Sequence, residues 1–141
     1  MSHPPITTTT SSCPLGFRIA LRRYGPGHVL RWHTHPEASL CLALSGGHRE
    51  IDQWTEGEYG GHDLIFKPAG ERHCNKFGCK GALMLYVEIM PDRLRSFLEA
   101  GLPVSRTLRV RSPNAVALGQ PTQIRKKERK CGRTNFLQFY F

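Results

Sequence analysis

Between residues 17 and 89 apolar side chains come in short runs broken by glycine and proline, and in two of these runs they recur at every second position. Phe17, Ile19 and Leu21 alternate with Arg18, Ala20 and Arg22, a period of two that marks a half-buried strand. Gly25-Pro26-Gly27 turns the chain, and Val29 to His35 reads as the next strand. Leu40, Leu42 and Leu44 alternate with Ser39, Cys41 and Ala43, and Gly46-Gly47 closes that run. His48 to Trp54 is a further strand, Glu56 to Gly61 a turn region, and Asp63 to Phe66 a short strand stopped by Pro68 and Gly70. Leu83 to Ile89 follows. Only after residue 90 does the period change: Pro91 opens a helix with Leu94, Phe97 and Leu98 on one face and Gly101 at its end. Leu108 to Arg111 adds a strand, and Asn114 to Gln120 starts a second helix. Many short strands at this spacing predict a mainly β chain, a sandwich or barrel followed by one or two helices. Residues 15–112 are expected to form the barrel with its helix, and 113–120 to begin a helical linker.

Composition narrows this little. The 141 residues make one domain, large enough to bury close to ~70% of the extended-chain surface. No stretch of 18 apolar residues is present to span a membrane as a helix. The opening MSHPPITTTTSSCPLG lacks the basic head and apolar centre of an export signal, and residues 1–14 are expected to be disordered. The expectation that follows is a cytoplasmic protein whose five cysteines are free thiols.

Charge changes the picture at one end. The chain carries a net +9, yet residues 121–141 hold six basic residues against Glu128 alone, which leaves a net +4 for residues 1–120. The excess sits in a basic, aromatic-ended tail. No groove-reading motif accompanies it, so the tail reads as a solvated segment that touches nucleic acid weakly, through counterion release.

Candidate chemistry gathers near the third strand. His33 and His35 are two apart, so on a strand they share a face about 6 to 7 Å apart, and both rings can converge on one metal ion. His73 follows a Pro-x-Gly turn and can supply a third nitrogen, and Ser39 sits on the next strand. By the same parity Arg31 shares the His33 face, placing a cation at the pocket that favours an acidic ligand. Trp32 faces away. Pro36 breaks the strand, which makes Glu37 a rim residue rather than a ligand.

These residues resemble the cupin superfamily. Gly27, His33, His35, Ser39 and Gly46 have the spacing of the first cupin motif, with Ser39 where that motif carries glutamate. Gly61, Pro68-Ala69-Gly70 and His73 resemble the second motif, whose usual asparagine would fall at Phe77. The resemblance covers residues 16 to 90 and implies a cupin-like jelly-roll β-barrel with His33, His35 and His73 pointing inward, able to hold one divalent metal, Zn, Fe, Ni or Mn. A narrower resemblance runs from Trp32 through KPAGERH to PDRLRSFLEAG, and is to the N-terminal sensor domain of AraC-type transcriptional regulators. It implies a small-molecule-sensing and dimerisation domain, truncated before its helix-turn-helix domain. Such a domain binds an effector, acidic if Arg31 lines the pocket, at a site of Arg31, His33, His35, Ser39 and His73. It forms a homodimer, and it meets DNA only through the missing domain. The alternative is a small metal-dependent cupin enzyme, a dioxygenase or isomerase, working from the three-His site.

Overall fold

A computed structural model describes residues 7–61 and 63–111. In chain order it holds β1 (Thr7–Cys13), β2 (Phe17–Tyr24), β3 (Val29–His33), β4 (Ala38–Asp52), β5 (Glu56–Gly60), β6 (Asp63–Lys67), β7 (His73–Ile89), α1 (Pro91–Glu99) and β8 (Leu108–Arg111). All strand pairings between these elements are antiparallel. The order is β1-β2-β7-β4-β6-β8, with β3 on β7 and β5 on β4. This is the jelly-roll architecture implied by the cupin resemblance, with one helix after the strands. The second helix expected over 114–120, the linker and the basic tail lie outside the described residues.

The two long strands organise the barrel. β4 and β7 pair from Ala38↔Ile89 at one end to Asp52↔His73 at the other. The ribbon bends where the register shifts, at Ala43/Ser45 and Gly46/His48. Gly46 has φ +70°, and a Cβ there would meet the Gly81 carbonyl oxygen at 2.0 Å. Gly81 has φ +70° too, and a Cβ on it would meet the Tyr24 carbonyl oxygen at 2.2 Å. Backbone packs on backbone at this corner, so only glycine fits. The Gly46-Gly47 pair thus bends one strand instead of ending it.

Three other expectations change for related reasons. Thr7–Cys13 is a strand, not a disordered end, because its backbone pairs along the whole of β2, Thr7↔Arg23 to Cys13↔Phe17. Glu56–Gly60 is a strand despite two glycines, because β4 offers a ladder from Gly47 to Ile51 and Tyr59 is buried against Cys41 and Ile65. Ladder pairing and burial outweigh local propensity. β7 starts at His73 rather than Leu83 because residues 73–77 pair with residues 48–52 of β4. The free-thiol expectation holds for Cys13, Cys41 and Cys74 and fails for exposed Cys79, which is disulfide-bonded.

The helix follows its sequence signals. Gly101 (φ +76°) closes it, with its N–H on the Leu98 carbonyl at 2.9 Å and the Leu102 N–H on that of Phe97 at 3.0 Å, a Schellman cap. Nine residues are marginal as an isolated helix. Leu94 and Phe97, both half-buried, hold it by packing with Ala38, Phe66 and Ile89, each contributing less than the about 1.5–3 kcal/mol of full burial. Leu98, expected on the same face, is half exposed.

The corner makes a testable claim. Gly46→Ala combines a left-handed backbone with a backbone clash, and is expected to cost at least about 1–2 kcal/mol. Gly60→Ala, whose added Cβ meets nothing within 4 Å, is expected to leave the urea midpoint within error of the parent. Equal midpoints for the two variants would refute the account.

Candidate metal centre

Three elements bring the histidines together. His33 ends β3 and sits opposite His73, the first residue of β7. His35 lies two residues beyond β3, in the loop before β4, not on the strand as expected. Its carbonyl accepts the Gly70 N–H at 2.8 Å, which ties that loop to the Pro68-Ala69-Gly70 turn ahead of His73. The ring centroids are 4.8 Å apart for His33–His35, 4.4 Å for His33–His73 and 5.3 Å for His35–His73. One nitrogen from each lies within 4.8 Å of the others.

The remaining nitrogens fix the tautomers. His33 Nδ1 is 2.6 Å from the Arg31 carbonyl oxygen, and His73 Nδ1 is 3.0 Å from the Glu71 carbonyl oxygen. A carbonyl only accepts, so each Nδ1 carries the hydrogen and each Nε2 keeps its lone pair. Metal-binding histidines are oriented in this way. Burial, then the charges of His33, Lys67 and Arg22, lowers the His35 pKa to about 4. Burial, then Lys67, lowers that of His73 to about 4. Both imidazoles are therefore neutral at pH 7, the state that ligates. The donor set, the tautomers and the protonation all fit one divalent ion.

Behind the histidines the barrel is polar. Glu50 is 2% exposed, and one of its oxygens, Oε2, accepts from Lys67 Nζ and Asn75 Nδ2 and lies 3.4 Å from His48 Nε2. Burial pushes the Glu50 carboxyl up, but the hydrogen bonds from His48 and Lys67 outweigh it and the pKa falls to about 2. To one side, Arg22, His35, Glu37, Ser39, Tyr86 and Glu88 enclose a crevice of about 10 Å³, room for about one water. Arg22 donates to Glu88 Oε1 at 2.9 Å, and Arg18 holds the other oxygen. Ser39 is buried and pairs with both Lys67 and Glu88 in register.

The expected site residues thus divide. His33, His35 and His73 cluster, and Ser39 lies beside His35 in the crevice. Arg31 does not join them: its side chain is exposed and only its carbonyl reaches the site. The register of β3 shifts between Leu30 and His33, and a bulge cancels the parity that put Arg31 with His33. The cations near the site are Lys67 and Arg22, and the carboxylates are Glu50 and Glu88. His48, Glu50 and Asp52 alternate with Arg49 and Ile51, so the polar inner face of that strand was written in the sequence. Nothing local marks Lys67, Arg22 or Glu88.

The histidine pKa values give a pH test. Both folded values lie below the ordinary 6.5, so between about 4 and 6.5 the unfolded chain binds more protons. The stability from neutral His35 and His73 is whole above about pH 6.5 and is lost as pH falls toward 4. Metal-free protein is expected to show a urea midpoint that declines over that window, with a shallower decline in His35→Gln. A parallel decline in parent and variant would disprove the assignment for His35.

No family model matches the chain, and no curated protein is similar to it. Solved structures are. A protein of unknown function from Rhizobium leguminosarum superposes with a TM-score of 0.56 at 21% identity, over 60% of this chain and 81% of that one. A cupin superfamily protein from Desulfitobacterium hafniense gives 0.55 at 16% identity, over 64% and 82%. A variant of Bacillus subtilis oxalate decarboxylase gives 0.50 at 24% identity over 53% of this chain, which spans only 21% of that enzyme. What these similarities establish, with the strand order, is the fold: a cupin-type jelly roll.

Proposed function

We propose that the chain is a small-molecule-binding cupin module of the sensing kind, built around one divalent ion held by His33, His35 and His73. The observation that carries this is the convergence of three imidazoles, one nitrogen of each within 4.8 Å of the others, from three separate segments. A bound ion would supply Lewis acidity and open coordination positions for an anionic group. Ser39, at the position of the usual glutamate, adds no charge, so the site keeps the ion's full positive charge and favours an acidic ligand. Arg22 and Lys67 lie nearby, each paired with a carboxylate, Glu88 and Glu50.

Binding is favoured over turnover by the state of the nearby carboxylates. Lys67 and Asn75 occupy one oxygen of Glu50, Oε2, and Arg18 and Arg22 occupy the two oxygens of Glu88. Glu50, its carboxyl pushed up by burial but lowered to about 2 by His48 and Lys67, is not placed as a general base of raised pKa. The resemblance through Pro91–Gly101 to AraC-type sensor domains agrees with an effector-binding role. The runner-up is a metal-dependent enzyme, favoured by the crevice that Arg22, Ser39 and Tyr86 form beside His35.

Titration calorimetry with Zn(II), Mn(II) or Ni(II) is expected to show one site, weakened roughly 100-fold or more in His33→Ala and His73→Ala, since even outer partners of ligands are worth 10–100-fold. In the loaded protein small carboxylates are expected to raise Tm by mass action. Full affinity in both variants would end the metal reading, and turnover of such a carboxylate would favour the enzyme.

A further inference from the structure

Lys67 reaches across the barrel behind the histidines. It ends β6 opposite Ser39 of β4, which shares a crevice with His35. Its head donates to Glu50 Oε2, an oxygen that also accepts from Asn75. Asn75 is the next inward residue after His73 on β7, both of them buried, since inward positions on a strand are two apart. The side chain thus runs from beside His35 to beside His73, and it is 8% exposed. A cation stands next to the position at which the cupin motif carries a carboxylate. The ion pair with Glu50 does not hide this charge from the rings. At His73 burial lowers the pKa most and Lys67 next, with Glu50 opposing more weakly. At His35 burial comes first, then His33 and Lys67. The pair presents its positive end to the imidazoles. An ammonium carries three N–H donors. Glu50 takes one, and no other acceptor among the described residues takes the remaining two. Buried donors without partners are costly, so the pocket lacks an acceptor at this point.

We propose that Lys67 makes the two occupants of the pocket depend on each other: its ammonium repels a divalent ion held by His33, His35 and His73, and it donates to the carboxylate that accompanies that ion. The inference rests on the metal reading above and adds a specificity-determining residue to it. Like charges in a low dielectric repel strongly, so the ion alone binds weakly. A carboxylate is attracted by both cations, accepts from the unspent N–H groups and offsets the repulsion between them. By linkage, each occupant then raises the affinity for the other by the same factor. A neutral ligand of the same shape gains nothing from the ammonium. The ligand class that follows is a small carboxylate, discriminated from its amide.

Calorimetric titration of the full chain with Zn(II) tests it, in sodium acetate and in sodium perchlorate of equal ionic strength, with acetamide as the neutral control. The parent is expected to bind Zn(II) about 10-fold or more tighter in acetate than in perchlorate, and acetamide is expected to have no effect. Lys67→Met is expected to bind Zn(II) about 10-fold or more tighter than the parent in perchlorate, with the acetate gain reduced at least about fivefold. That variant leaves Glu50 buried without its cation. Lys67→Met combined with Glu50→Gln removes both charges, and is expected to show the same two changes with the parent circular-dichroism spectrum. A merely structural Lys67 would instead give weaker Zn(II) binding in both variants, and that result would overturn the proposal. So would an acetate gain undiminished in both. Zn(II) bound in perchlorate by the variants but not by the parent would uphold it. Zn(II) bound by no form in either salt would overturn the metal reading and this inference with it.

Discussion

The β4–β7 ribbon is the element on which the rest of the molecule depends. It is held by backbone ladders along its length and bent by the contact of Gly46 with Gly81, where no side chain fits. One arm of the bend carries Ser39 opposite Glu88, the other Glu50 opposite Asn75 and Asp52 opposite His73. The bend therefore sets which polar groups meet inside the barrel. β2, β3, β5 and β6 join this frame as flanking strands, and α1 closes one end of its outer surface.

An interior of this kind is held by pairing more than by oil. Glu50, Lys67, His48 and Asn75 are all buried, and isolated charges there would cost far more than any single contact returns. Several charges find an opposite, Lys67 for Glu50, Arg18 and Arg22 for Glu88, Arg109 and Arg111 for Asp63, while buried Asp52 and Glu71 accept hydrogen bonds from Thr55 and Thr107. Such pairs add little net stability over an apolar filling, but they leave His35 and His73 as uncharged nitrogen donors of the pocket. The same partition explains the inverted β4, with small residues inside to make room for polar side chains and leucines outside.

Much of this was legible in the residues. A period-two run located β2, a short apolar run stopped by Pro68 located β6, Leu108 to Arg111 located β8, and Pro91, Leu94 and Gly101 located the helix with its cap. The spacing of His33, His35 and His73 located the cluster. What was hidden lay in tertiary pairing. A Thr/Ser run becomes β1 because β2 has a free edge, and Gly57 and Gly60 are tolerated because β4 supplies their ladder. Arg31 was misplaced because a bulge carries no sequence signature, and Arg22, Lys67 and Glu88 approach the site only through strands distant along the chain. The charged filling of the barrel follows from which strands become neighbours, and no local pattern encodes that.

The unequal anchoring of the three histidines has a consequence of its own. His73 starts the best-secured strand, whereas His33 closes a strand whose pairing to β7 is interrupted, and His35 hangs in a loop tied by one bond to Gly70. An ion on all three would cross-link a firm strand to a loose flank across 40 residues of chain, His33 to His73. Staples across loops of that length act mainly by restricting the open ensemble. Loading the site would thus tighten the barrel's mouth with little rearrangement of its frame, and the occupancy of the pocket would be readable at a distance as a change in order rather than in shape.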